Sequence, residues 1–301
     1  MSVYDIVTER VIQQMQSGVI PWQKPWTGTS SGAISRATGR PYSLVNQFLL
    51  GKPGEYVTFK QCNDEGGKVK KGSKSGMVVF WKVIQKDRVD EDGEVIRDDK
   101  GVPKVKTFPL LQYYRVFHID DCEGLDPKWT KDVVESERAK VDEDAQKVFD
   151  DYISREKIGF NHVRGSAAFY SPSRDVIGMP LVGQFSDTGK YYSTLFHEAV
   201  HSTGHKSRLN RLDDKGFSWE QDYSKEELVA EIGAAVMLNM VGMENKSTIK
   251  NNVAYIQNWI KVLQNDTKMI IAAASEAEKA VNMIRGEVSE DEGEGVSDDA
   301  A

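Results

Sequence analysis

Tyr191-Tyr192-Ser193-Thr194-Leu195-Phe196-His197-Glu198-Ala199-Val200-His201-Ser202-Thr203-Gly204-His205 is the stretch on which the reading of this chain turns. Positions i and i+4 share one face of a helix, so His197 and His201 can reach one ion, with Glu198 beside it as a general base rather than a ligand. Leu195, Phe196, Ala199 and Val200 supply the face that packs. Three of the five histidines of the chain fall within these nine positions, His197 to His205. A catalytic zinc takes three protein ligands and keeps one position open, so a third is required. The candidates are His205, at a spacing that the metzincin pattern does not use, and Glu227 and Glu231, again i and i+4. The preferred division makes Glu227 the ligand and Glu231 the residue that orients a ligand imidazole from behind. A packed or solvated histidine pair is the plainer alternative, but it leaves Glu198 and the acidic helix unexplained. Zn2+ is the expected ion, and Mn2+ or another divalent ion can occupy the same ligands in vitro. Tyr223 and His205 are both candidates to donate to an oxyanion, and spacing does not choose between them.

Outward from this motif, residues 167–170 and 175–179 read as a β-hairpin around Ser171-Pro172-Ser173-Arg174. Helices are predicted at 144–153, 190–203, 224–241 and 250 to about 285. In the first half a helix is predicted over 3–17, ended by Gly18, followed by strands at 56–59, 77–81 and 111–119. Residues 87–104, with seven acids between 87 and 99 against Arg88 and Arg97, read as a solvated loop or hairpin tip. A domain boundary is expected in the charged stretch near 125–140.

Charge is segregated along the chain. The net charge of −7 is carried by residues 286–301, which hold seven acids and no Lys or Arg. Residues 1–82 hold 11 Lys/Arg against 5 Asp/Glu, with nine aromatics among them. Cations beside aromatic faces suit single-stranded nucleic acid, in which bases stack and phosphates follow the cations. Trp22, Lys24, Trp26, Arg40, Tyr42, Lys70, Lys71 and Lys74 are the candidates; the competing reading places several of the rings in the core and the lysines on an ordinary surface. The two cysteines, Cys62 and Cys122, exclude a disulfide framework and a cysteine zinc ribbon. No apolar run approaches the ~20 residues of a bilayer span and the first ten residues are too charged for a signal peptide, so no membrane partner and a cytoplasmic location are expected.

Two blocks together carry a resemblance. Gly18-Val19-Ile20-Pro21-Trp22-Gln23-Lys24-Pro25-Trp26, Pro41-Tyr42-Ser43-Leu44-Val45-Asn46 and Thr58-Phe59-Lys60-Gln61 through Lys70-Lys71-Gly72 resemble the N-terminal domain of ArdC antirestriction proteins. Residues 191–205 with Glu226-Glu227-Leu228-Val229-Ala230-Glu231 are similar to the metallopeptidase domain of the same family. The resemblance spans about residues 3–245. It implies a single-stranded-DNA-binding module, Lys60 included, joined to a zincin-like peptidase, encoded on mobile elements and protecting incoming DNA from restriction. In related zincins the first acid of a similar helix supplies the third ligand, which on this chain is Glu227.

The expectation is therefore an α+β protein of two domains. Residues 1–128 form a mixed α/β single-stranded-DNA-binding domain, 129–143 a charged linker, 144–285 a zincin-like metallopeptidase domain, and 286–301 a disordered acidic tail. The expected function is antirestriction, with a zinc-dependent peptidase site acting on a protein or peptide. The competing class is a non-enzymatic DNA-protecting protein whose metal site is structural or vestigial, and a third is a metalloprotease whose basic unit recruits protein substrates.

Overall fold

Ser2 starts the first helix by a reciprocal cap, its hydroxyl accepting from the Asp5 amide while the Asp5 carboxylate accepts from the Ser2 amide. This helix, α1 (Val3–Gln16), buries Val7, Val11, Ile12 and Met15, the stripe that its 3.6-residue period predicts. The computed structural model describes residues 2–23, 32–90, 94–129, 141–163, 167–185, 187–212, 221–243 and 253–287. The expected acidic tail beyond 287 and most of the expected linker, 130–140, lie outside them.

After α1 come β1 (Ala33–Ser35), α2 (Leu44–Leu50), β2 (Gly54–Val57), α3 (Phe59–Asp64), β3 (Lys68–Val69), β4 (Gly76–Asp87), β5 (Val105–His118) and β6 (Cys122–Glu123). Strands β1, β2, β5 and β4 form one sheet in that order, with β1 parallel to β2 and the other pairs antiparallel. The strand expected over 56–59 stops at Val57. Thr58 and Gln61 make a capping box that turns Phe59 into the first residue of a helix. β4 and β5 pair continuously from Gly76↔Val116 to Asp87↔Val105, so the acidic segment is the tip of a long ribbon. Asn46 on α2 covers the outer edge of β4, its amide bonding both the N–H and the carbonyl of Val79 at 2.7 and 2.8 Å.

The second half runs α4 (Val141–Glu156), β7 (Gly159–His162), β8 (Phe169–Ser171), β9 (Val176–Met179), α5 (Thr188–Thr203), α6 (Gln221–Met240), α7 (Val253–Asn265) and α8 (Met269–Arg285). The predicted hairpin is β8–β9; β7 adds to it in parallel, giving the order β7-β9-β8. The single helix expected from 250 to 285 is two. Asp266 accepts from the Lys268 amide at 2.9 Å and so breaks the run. The turn frees the Thr267 carbonyl to accept from Thr8 of α1 at 2.7 Å.

One core unites the halves. Val7, Val11, Trp22, Phe48, Met77 and Val79 belong to the same buried cluster as Phe149, Leu195, Phe196, Leu228, Ile232, Ala274 and Val281. The first region is further tied down where the linker is expected to begin. Glu55 is buried, ion-pairs with Arg36 at 2.6 Å and accepts from the Lys128 and Trp129 amides.

Candidate metal centre

α5 begins at Asp187, whose carboxylate accepts from the Lys190 amide, and it buries Leu195, Phe196, Ala199 and Val200 as its pattern requires. The opposite face carries His197 and His201 one turn apart. α6 lies against α5 at close range because Gly233 has no side chain: a Cβ there would stand 2.6 Å from a Val200 methyl. This contact brings the start of α6 over the histidines.

His197, His201 and Glu227 each offer a ligand atom within 4.8 Å of the others, the one such group among the described residues. The two Nε2 atoms are 3.1 Å apart, and Glu227 oxygens lie 3.6 Å from His197 Nε2 and 3.5 Å from His201 Nε2. His201 Nδ1 faces Glu226 Oε1 at 3.1 Å. A carboxylate only accepts, so Nδ1 donates to Glu226, and Nε2 is the atom turned toward Glu227 and His197. Glu226 is buried and is itself held by Arg211, which donates Nε and Nη2 to it at 3.0 and 2.9 Å. Arg211 also bonds the Val200 carbonyl and the Thr203 hydroxyl, clamping the end of α5 to the start of α6.

The carboxylates and imidazoles of the cluster shift one another. Burial lowers the His201 imidazole, but Glu226 and Glu227 overcome this and push it up to about 9. Burial raises the Glu227 and Glu226 carboxyls, yet the imidazoles, with Arg211 at Glu226, bring both below the ordinary range. Two imidazoles with converging Nε2 atoms and a carboxylate, once deprotonated, are a donor set of the kind that holds a divalent ion. Glu198 is buried next to them and its carboxyl is raised by that burial, while the Tyr170 amide of β8 donates to it. β8 is in turn pinned by Arg208, which binds Asp175, the Tyr170 hydroxyl at 3.1 Å and the Ser202 carbonyl at 2.8 Å.

The expected helper Glu231 lies outside the three-residue group; at His201 the orienting task belongs to Glu226. His205 lies past α5, its Nδ1 2.7 Å from Ser207 Oγ, and it too is outside the group. Glu226 and Arg211 were not singled out from the sequence. The EExxxE run contained Glu226, but nothing in spacing ties Arg211 to it. The side chain of Tyr223 lies outside the described residues.

The residues expected to meet DNA are dispersed differently. Trp22 is 0% exposed and packs against Phe48, so it offers no face to a base, which corrects its assignment. Tyr42 is partly buried: it sits edge-on to Tyr56 and hydrogen-bonds Tyr114, with its hydroxyl held above the usual range by burial. Lys24 and Trp26 lie outside the described residues. Arg40 and Lys60 are exposed, Lys70 donates to the Asp120 carbonyl at 2.7 Å, and Lys71 and Lys74 stand exposed on the loop before β4.

Comparison with known proteins agrees with both halves. Residues 1–117 match a family model described as the N-terminal domain of anti-restriction factor ArdC, and residues 147–276 one described as a zincin-like metallopeptidase. Two DNA primases TraC of Escherichia coli are 33% and 32% identical over 92% and 93% of this chain, which spans only 19% and 27% of their length. Protein y4eC of Sinorhizobium fredii (strain NBRC 101917 / NGR234) is 27% identical over 96% of this chain and 93% of its own. Crystal structures of antirestriction protein ArdC from plasmid R388 superpose over 95% of this chain. The Mn(II)-bound form gives a TM-score of 0.68 at 29% identity over 98% of that chain, and the metal-free form 0.71 at 30% over 97%. With its α+β fold, its His-His-Glu centre for a divalent metal ion and a solved relative matched nearly end to end, the chain belongs to the ArdC antirestriction family.

Proposed function

We propose that this chain is an antirestriction protein of a mobile element that holds single-stranded DNA and carries a peptidase site dependent on Zn2+. The observation that carries the peptidase reading is the convergence of His197, His201 and Glu227 beside the buried Glu198. A divalent ion at these ligands supplies Lewis acidity toward a carbonyl and lowers the pKa of water. Glu198, anchored by the Tyr170 amide, accepts a proton and delivers it to the leaving amine; burial raises its carboxyl toward the range a general base needs. Glu226 and Arg211 keep the His201 imidazole turned with Nε2 forward. β8 ends its sheet and touches α5, so an extended peptide added to that edge runs past Glu198. The names of the TraC relatives, DNA primases, support a setting on DNA.

The test uses the full chain. Purified protein should contain about one equivalent of zinc by mass spectrometry. It should hydrolyse an unfolded protein substrate, lose that activity to a chelator, and bind oligothymidylate more tightly than duplex. Glu198→Gln should keep the metal and the DNA while losing about 10²–10⁴-fold in hydrolysis. Loss of zinc in that variant would make Glu198 a ligand and refute the assignment.

A further inference from the structure

Three exposed aromatic side chains of the first half, Phe59, Trp81 and Tyr113, lie on a surface that composition does not single out. Along β5, Tyr113, Arg115 and Phe117 alternate onto one face, and the pairings Val79↔Tyr113 and Trp81↔Leu111 place Trp81 on the same face. α1 lies across it, with Val7 and Val11 in the core beside Val79 and Leu111, and with Tyr4 edge-on to Trp81 at 6.3 Å. Tyr113 and Trp81 are each 42% exposed. Beyond Phe117 stands Phe59, edge-on to it at 6.4 Å and 57% exposed.

Near the middle of this strip Arg115 comes within electrostatic reach of Arg10 on the helix that crosses it. Arg10 of α1 is partly buried and lies close enough to Arg115 that burial and the charge of Arg115 hold it below the ordinary guanidinium range. Arg115 donates to Ser75 Oγ at 3.2 Å, at the end of the loop that carries exposed Lys71 and Lys74. Arg36, Arg155, Arg208, Arg211 and Arg285 each hold a carboxylate. Among the described residues no carboxylate pairs with Arg10, Arg115, Lys71 or Lys74. Like charges juxtaposed without a counter-ion, one of them partly desolvated, are stabilised by an anion between them. Same-face positions on a strand recur about every 6.8 Å, so rings flank the cation pair at regular steps.

We propose that Arg10 and Arg115 clamp a phosphodiester of single-stranded DNA between α1 and β5, with Tyr113 and Phe59 as stacking faces on either side. Lys71 and Lys74 take neighbouring phosphates. This rests on the reading that the chain holds single-stranded DNA and adds the face that does so. A duplex presents phosphates but no free base faces, so it leaves Tyr113 and Phe59 unused.

The experiment is fluorescence anisotropy of full-length protein with labelled oligothymidylate across a salt series, with thermal melting of every variant. Arg10→Gln/Arg115→Gln should weaken binding about ten- to hundredfold, the range of a charged hydrogen-bond pair. It should also flatten the log–log salt slope by about 0.7, one phosphate's share for a single strand. Arg115→Lys keeps most of that slope, which separates charge from folding. Tyr113→Ser should weaken binding about five- to hundredfold with the slope intact. Lys279→Gln, on α8, should change neither. If the parent binds oligothymidylate and the double variant matches it in affinity and slope, the clamp is wrong while the DNA reading stands. If the parent does not bind, both fall, and equal competition by duplex overturns the single-strand assignment.

Discussion

Glu226 and Glu227 are neighbours in sequence with different contacts, and one peptide bond separates the proposed ligand from the residue that holds the imidazole of another. Successive side chains on a helix point about 100° apart, so Glu227 faces both Nε2 atoms while Glu226 reaches Nδ1 of His201. Zinc affinity, measured by competition with a chelator, should therefore fall most in Glu227→Gln. Glu226→Gln should cost about 10–100-fold, the usual weight of an outer-shell partner, and Glu231→Gln less. A greater loss in Glu231→Gln than in Glu227→Gln would shift the register on α6 by one turn. The HExxH spacing made His197, Glu198 and His201 readable because both histidines lie on one helix. Glu226 and Arg211 were not readable, because their meeting depends on the loop that returns the chain to α5.

Between elements, the separation of α5 and α6 sets the geometry of the centre. Gly233→Ala places a methyl 2.6 Å from Val200, and the helices must part to admit it. The melting temperature should drop by an amount corresponding to about 1–3 kcal/mol, with metal affinity falling alongside it. Unchanged melting and affinity would show that the contact relaxes without moving Glu227. The β4–β5 ribbon makes the opposite case. Its outer end is exposed and holds none of the core residues. Arg88 and Lys104 are still bridged there by a 2.7 Å backbone hydrogen bond, so joining them through Asn-Gly should close the hairpin early. The shortened protein should melt within about 2 °C of the parent, as changes away from the core usually do. A drop of several degrees would mean that the acidic tip is part of the packing. The ribbon's length was hidden because a strand exposed on both faces has no alternating apolar pattern.

Across the whole molecule the two family regions share a core, and this decides how the protein unfolds. Trp22 and α1 pack into the cluster that holds α5, α6 and α8, and Thr8 bonds the carbonyl of Thr267. Thermal unfolding should accordingly be a single transition by calorimetry, and the halves cut near residue 130 should be unstable when expressed apart. Two well-separated transitions, or a stable isolated first half, would show that the shared cluster contributes little. Trp22→Ala should cost about 3–5 kcal/mol, the range for truncating a buried aromatic, and leave the salt slope of DNA binding alone.

Some of this was settled by local chemistry. The α1 helix, the β8–β9 hairpin, the histidine pair with Glu198 and the basic character of residues 1–82 follow from periodicity, spacing and composition, which require no knowledge of distant residues. Which rings are exposed and which are core does not follow, since Trp22 and Tyr113 are both aromatics among cations and differ in what packs over them. Nor does the break at Asp266, whose turn is completed by Thr8 from the far end of the chain. The nearness of Arg10 to Arg115 and the pairing of Arg211 with Glu226 are likewise products of the fold. Charges distant in sequence meet only after the core has placed their backbones, and no spacing rule records where that will be.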